Sequence, residues 1–105
     1  MELTKETLNN GITKIMVNKV IDFQNSDDFA NQLYSIISDE NNKLIIDFKE
    51  SEYLDSSGIG VFISAKSKID KLCGKLVLIN LQDQVKQIFR LSKLIGLFKV
   101  CDSLD

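Results

Sequence analysis

Four consecutive residues, Asp55-Ser56-Ser57-Gly58, bring together a carboxylate, two hydroxyls and a position without a side chain. They follow the pair Tyr53-Leu54 and precede Phe62, Ala65, Ile69 and Leu72, which recur at helical spacing, so the pattern predicts a strand end followed by a helix start. At such a junction the first backbone N–H groups of the helix point outward unpaired, and the helix dipole favours an anion there. A hydroxyl at that spot is well placed to carry a phosphate. Either Asp55 or Ser56 can act as the N-cap, with Ser57 and Gly58 in the first helical positions and the Ser57 hydroxyl at the mouth of the turn. Gly58 and Gly60 are costly in a helix, at ~1 kcal/mol each relative to Ala in an interior position. Their presence implies a close approach to the backbone, by a partner's loop or by the neighbouring strand. All four residue types also favour an ordinary capping turn, and local chemistry leaves the two readings open.

Catalysis by Ser57 is disfavoured by what surrounds it in sequence. The chain of 105 residues contains no His, so the usual general base for a serine nucleophile is missing, and no Gly-x-Ser-x-Gly elbow is present. There is no Gly-x-x-x-x-Gly-Lys loop, and Gly58-x-Gly60 is followed by Ile63 where a dinucleotide fingerprint needs Gly. Cys73 and Cys101 stand apart without a Cys-x-x-Cys pair, and without His the common zinc frameworks cannot be assembled. No metal and no cofactor are therefore expected, and the two thiols read as structural. The net charge is −2, with Arg90 as the sole arginine and the lysines scattered, which argues against nucleic-acid binding. The segment Met1 to Asn10 is polar, and no apolar run approaches the ~20 residues that span a bilayer. A cytoplasmic protein that is a substrate rather than an enzyme fits these features best.

The elements that would hold the turn can be traced by hydrophobic period. Leu3 to Leu8 and Ile12 to Val17 flank Asn9-Asn10-Gly11, the signature of a tight antiparallel hairpin. After Val20-Ile21-Asp22, Asn25 is a candidate cap for a helix carrying Phe29, Leu33, Ile36 and Ile37 and running to about Asp39. Leu44-Ile45-Ile46 reads as a central parallel strand covered on both faces. The helix after Ser57 should stop at Gly74, and Leu76 to Ile79 should form the next strand of a βαβ unit. Asn80 with Asp83 is a candidate cap for a third helix with Val85, Ile88 and Phe89 inward, before an edge strand from Leu97 to Val100. The predicted order is ββαβαβαβ, an α/β domain. Tyr53 is expected in the core, with only its hydroxyl wet.

The run Leu44-Ile45-Ile46-Asp47-Phe48, followed by Tyr53-Leu54-Asp55-Ser56-Ser57-Gly58-Ile59-Gly60-Val61, resembles the strand, switch turn and helix start of STAS domains. Among these it is most similar to the anti-sigma factor antagonists of bacteria. Ile21-Asp22, Gly74-Lys75-Leu76-Val77-Leu78 and Leu97-Phe98 extend the resemblance over Leu3 to Val100, while Lys19 and Lys93 stand where the family often has glycine. The resemblance implies a single STAS domain over residues 1–105, a mixed β-sheet with helices packed against it. It further implies that Ser57 is phosphorylated by an anti-sigma factor with serine kinase activity and dephosphorylated by a metal-dependent serine phosphatase. The unphosphorylated form would bind the anti-sigma factor and release the sigma factor, and phosphorylation would block that binding. Contact with the partner would fall on Asp55, Ser56, Gly58, Ile59 and Gly60. Asp22 would join them if its loop lies beside the turn, although from the residues alone a solvated turn carboxylate serves as well. The family implies a monomer when free. The alternative is a STAS scaffold or subunit of a sensory or lipid-transport complex in which Ser57 is never phosphorylated.

Overall fold

Alternation of apolar and polar residues builds a sheet with one covered face. The computed structural model describes residues 4–8, 11–17, 19–91, 96 and 98–101. The elements in chain order are β1 (Thr4–Thr7), β2 (Thr13–Met16), β3 (Val20–Ile21), α1 (Ser26–Ile36), β4 (Lys43–Asp47), β5 (Tyr53–Leu54), α2 (Ser56–Lys71), β6 (Lys75–Ile79), α3 (Asp83–Leu91) and β7 (Lys99–Cys101). Five strands form the main sheet in the order β1-β2-β4-β6-β7, antiparallel only between β1 and β2. This is the expected αβ order with one addition: β3 and β5 pair in parallel as a separate two-stranded sheet, Val20 opposite Tyr53 and Ile21 opposite Leu54. Two-residue strands are too short to show a period, so the sequence pattern marks a strand end at Tyr53-Leu54 but not its pairing with Val20-Ile21.

Ile15, Leu44, Ile46, Leu76 and Leu78 face the helices in one core cluster. Ile45 and Val77, one residue out of phase, are only half-buried, so β4 is not covered on both faces as the continuous apolar run suggested. The helices supply Phe29 and Leu33 from α1, Phe62, Ala65 and Ile69 from α2, and Val85 and Phe89 from α3. Aromatic rings link these layers. Phe62 meets Phe29 at 5.6 Å and Phe48 at 5.2 Å between centroids, and Phe89 meets Phe48 at 6.1 Å and Phe98 at 5.5 Å. Edge-to-face and tilted contacts of this kind add ~0.5–1.5 kcal/mol each beyond the area they bury.

Several boundaries differ from expectation for identifiable reasons. Helix α1 ends at Ile36, because Ile37 turns to extended backbone and Ser38 and Asn41 exchange hydrogen bonds in a closing turn. Asn80 does not cap α3. It adopts φ +58 and gives its side-chain amide to Asp47, while the first helical bond runs from Lys86 N–H to the Gln82 carbonyl. Gly11, at φ +74, carries the left-handed geometry of the first turn, and Leu8 N–H reaches the Ile12 carbonyl at 2.7 Å. Asn9, Asn10, Lys93 and Leu97 lie outside the described residues, and the last strand begins at Lys99.

The end of α2 is a Schellman motif in which Cys73, not Gly74, takes the left-handed position, at φ +56. Cys73 N–H reaches the Asp70 carbonyl at 3.1 Å and Gly74 N–H the Ile69 carbonyl at 2.9 Å. Gly74 is required for another reason: a Cβ there would collide with the backbone carbonyl of Asn42, which also accepts from Lys75 N–H at 2.8 Å. Gly74→Ala is accordingly expected to lower stability by ~1–3 kcal/mol, while Cys73→Gly leaves it unchanged or raises it by up to ~1 kcal/mol by removing a strained left-handed residue. Urea denaturation of the two variants checks both signs.

Candidate functional site

Helix α2 begins directly at the end of β5, and the residue between them decides the geometry of the turn. Asp55 has extended backbone, φ −103 and ψ −173, and its carbonyl accepts the first helical bond from Ile59 N–H at 3.0 Å. Its Oδ1 accepts from Ser57 N–H at 2.9 Å and from Gly58 N–H at 3.2 Å. Asp55 is therefore the N-cap, and Ser56 is the first helical residue. Ser56 points to solvent, whereas Ser57 is half-buried.

The second carboxylate oxygen reaches across to another segment. Asp55 Oδ2 accepts from Phe23 N–H at 3.2 Å, and Asp55 N–H donates to the Ile21 carbonyl at 3.2 Å. The loop that follows β3 is thus tied to the head of α2, which places Asp22 in the loop beside the turn. Asp22 itself is occupied with capping. Its Oδ1 accepts from Gln24 N–H at 2.9 Å, its N–H donates to Asn25 Oδ1 at 2.9 Å, and its carbonyl accepts from Ser26 N–H at 2.8 Å. This reciprocal box caps the turn leading into α1. Asn25 makes no side-chain cap bond to the helix and instead gives its amide to the Val20 carbonyl at 2.9 Å.

The glycines of the turn have different surroundings. A Cβ at Gly58 would press on Leu54 and lie 2.9 Å from Ile21 Cγ2, so this glycine lets α2 sit directly on the β3–β5 pair. Gly60 has nothing within 4 Å of that position and is exposed. Gly58 and Ile59, expected on the contact surface, are both buried, because the first turn of α2 rolls them toward Leu54 and the core. They support the site from beneath. Asp22, Asp55, Ser56, Ser57 and Gly60 remain at or near the surface.

Ser57 and Gly60 line an open groove of about 660 Å³ between α1 and α2, together with Ser26, Asp27, Tyr34 and Ser64. The Tyr34 hydroxyl donates to the Val61 carbonyl at 3.3 Å, and Lys68 Nζ lies 5.1 Å from the centre of its ring, so the far end of the groove is pinned. The α1 side of this groove was not singled out from sequence, since Asp27 and Ser26 look like ordinary first-turn residues. Nor was Phe23, which is 72% exposed. An aromatic inside the polar run Asp22 to Asp28 was the available signal. Tyr53 is also exposed, at 47%, and so is not core: its opposite number Val20 lies on the outer face of the small sheet, while Ile21 and Leu54 take the inner one. Among the described residues no group of His, Cys, Asp or Glu is placed to hold a metal ion, and no helix is long and apolar enough to cross a membrane.

The STAS domain family model matches residues 5–105, and the chain belongs to that family. A relative from Bordetella bronchiseptica, named as the anti-sigma factor antagonist BtrV, is 22% identical over 105 residues, spanning 100% of this chain and 90% of the relative. The same fold is found in a crystal structure described as an anti-sigma factor antagonist from Thermotoga maritima, at 19% identity and TM-score 0.89, covering 97% of this chain and 87% of that one. It is found again in the Bacillus cell fate determinant SpoIIAA in its phosphorylated form, at 18% identity and TM-score 0.76, covering 99% and 93%.

Because the Asp55 carboxylate serves two segments through different oxygens, the two functions can be separated. Asp55→Asn keeps one carbonyl oxygen for Ser57 and Gly58 N–H but has no second acceptor for Phe23. We expect a loss of ~1 kcal/mol in stability and faster amide exchange at Phe23, with Ser57 and Gly58 remaining protected. Residue-resolved hydrogen exchange reads this directly.

Proposed function

We propose that this chain is a phosphorylation-controlled antagonist of an anti-sigma factor, with Ser57 as the phosphate acceptor. The observation that carries the reading is the placement of Ser57. Ser57 stands in the first turn of α2 and lines the α1–α2 groove, while its own N–H and that of Gly58 are already held by Asp55. A phosphate added there brings a charge of about −1.5 to −2 beside an existing carboxylate. No Lys or Arg occurs in segments 20–42 and 50–65, which build this end of the molecule, so neither segment compensates the new charge.

The partner in this reading is an anti-sigma factor that is also a serine kinase. To transfer phosphate it must bring a nucleotide to Ser57. After transfer, phosphoserine faces the remaining nucleotide phosphates across a close interface, and both charge and bulk oppose continued docking. The unphosphorylated chain binds and occupies the anti-sigma factor, which leaves the sigma factor free. A metal-dependent serine phosphatase restores that state. The chain acts in the cytoplasm, as a binding protein and not a catalyst, and is a monomer when free. The name and length match of the Bordetella relative support the anti-sigma side of this reading, and the phosphorylated SpoIIAA structure supports the modification.

The experiment is incubation of the purified chain with each serine-kinase anti-sigma factor of the same genome and ATP, followed by intact mass and site mapping. One phosphate is expected, on Ser57. Ser57→Ala should bind the kinase and receive none, Ser56→Ala should be phosphorylated as usual, and Ser57→Asp should bind at least tenfold more weakly, a coupling of ~1.4 kcal/mol or more. Phosphate at another residue would overturn Ser57 as the acceptor, and phosphate at none with every such kinase would instead point to a fixed STAS subunit.

A further inference from the structure

Phe23 is a large apolar side chain held out in water on a rigid support. It is 72% exposed, yet its backbone is fixed through its own N–H to Asp55 Oδ2 and, on both sides, by the Asp22–Asn25 box and the Asn25 amide bond to the Val20 carbonyl. A single exposed apolar residue calls for no explanation by itself. This one shares a carboxylate with Ser57 N–H and Gly58 N–H, which makes it part of the same rigid body as the phosphate acceptor. Val20 and Tyr53, paired across β3 and β5, are exposed as well, on the outer face of the small sheet.

We infer that Phe23 is the apolar anchor with which the chain docks onto the kinase partner, a specificity-determining residue that inserts into an apolar socket on that protein. The inference rests on the reading of Ser57 given above. A pre-ordered aromatic is suited to this role, because little conformational freedom is lost on binding and the whole ring is available to be desolvated. Charge describes the rim of the socket. Around Phe23 the chain presents Asp22, Asp27 and Asp28, with no Lys or Arg from residue 20 to 42, so the partner's socket is edged with basic side chains. Phe23 does not touch the reacting hydroxyl. It sets affinity and register, and the Asp55 clasp transmits that register to Ser57.

The test uses the full-length chain and the purified serine-kinase anti-sigma factor that binds it in the presence of ADP, with dissociation constants measured for wild type, Phe23→Leu, Phe23→Ala and Ser57→Asp. Phe23→Ala is expected to weaken binding ~10- to 100-fold, the effect of exposing an apolar side chain of this size, and Phe23→Leu to recover most of the loss. With ATP, Phe23→Ala should raise the KM for Ser57 phosphorylation by a similar factor and leave kcat close to wild type. Urea midpoints of both Phe23 variants should match wild type, and a drop in Phe23→Ala would contradict the surface placement. If Phe23→Ala binds like wild type while Ser57→Asp still binds weakly, the anchor is overturned and the switch stands. If the wild-type chain binds none of these kinases and receives no phosphate, both readings fall together.

Discussion

The carboxylate of Asp55 joins two parts of the chain that sequence separates by more than thirty residues. One oxygen closes the N-terminus of α2 through Ser57 and Gly58, and the other holds the loop ahead of α1 through Phe23. None of these bonds is fully buried, so each contributes on the order of 1 kcal/mol net, and their value lies as much in fixing the two segments together. The same arrangement gives the helix terminus an anion of its own. An isolated helix start would welcome phosphate through its free amides, whereas here two of those amides are taken, and a phosphate placed on Ser57 would be a second negative charge in a place already satisfied. A binding site for free anions and a site where added charge is disruptive are thus distinguished by one side chain.

That junction would be loose if the ends of the sheet were loose. Asp47, at the end of β4, is 1% exposed and accepts from Lys49 N–H at 2.9 Å and Asn80 Nδ2 at 3.0 Å, with Lys14 Nζ at 3.3 Å. It therefore binds together the ends of β2 and β4 and the loop after β6. Partnered in this way a buried carboxylate contributes geometry more than net stability, since desolvation offsets much of the attraction. Removing one partner is what would be expensive. The consequence reaches β5: Glu52 and Tyr53 N–H groups bond to the Lys19 carbonyl, and Leu54 packs beneath Gly58, so the loop that Asp47 steadies delivers the chain to Asp55 in a set position.

The larger elements were readable in the sequence because each has a period long enough to detect. Phe29 and Leu33, Phe62, Ala65 and Ile69, and Val85 and Phe89 all fall on the buried faces that helical spacing assigns. The turn at Asp55 was readable from residue type, although Asp55 and Ser56 were equal candidates for the cap until the backbone separated them. What stayed hidden depends on contacts between distant segments. Gly58 signals a close approach that the neighbouring strand, through Leu54, turns out to make, whereas nothing in Gly74 announces that Asn42 occupies the space of its missing side chain. Asn favours caps, and Asn25 does stand at the N-cap of α1, but its side-chain amide goes back to Val20, while Asn80 gives its amide to the distant Asp47. Exposure of Tyr53 follows from the pairing of β3 with β5, which no local pattern shows.

The two glycines of α2 bear on how the site is built. Gly58 is explained by packing, since its absent side chain is the space filled by Leu54 and Ile21. Gly60 has no such explanation: open space surrounds it, and Ala there would favour the helix by ~1 kcal/mol. A stability cost at an exposed position with no steric reason in the fold is the pattern expected where the surface must stay low for something outside it. Gly60 lies one helical turn beyond Ser57 along the same groove, so the lowered surface continues from the hydroxyl toward Ser64. A partner approaching Ser57 closely enough for phosphate transfer would need that clearance, and the glycine provides it without disturbing the cap that positions the serine.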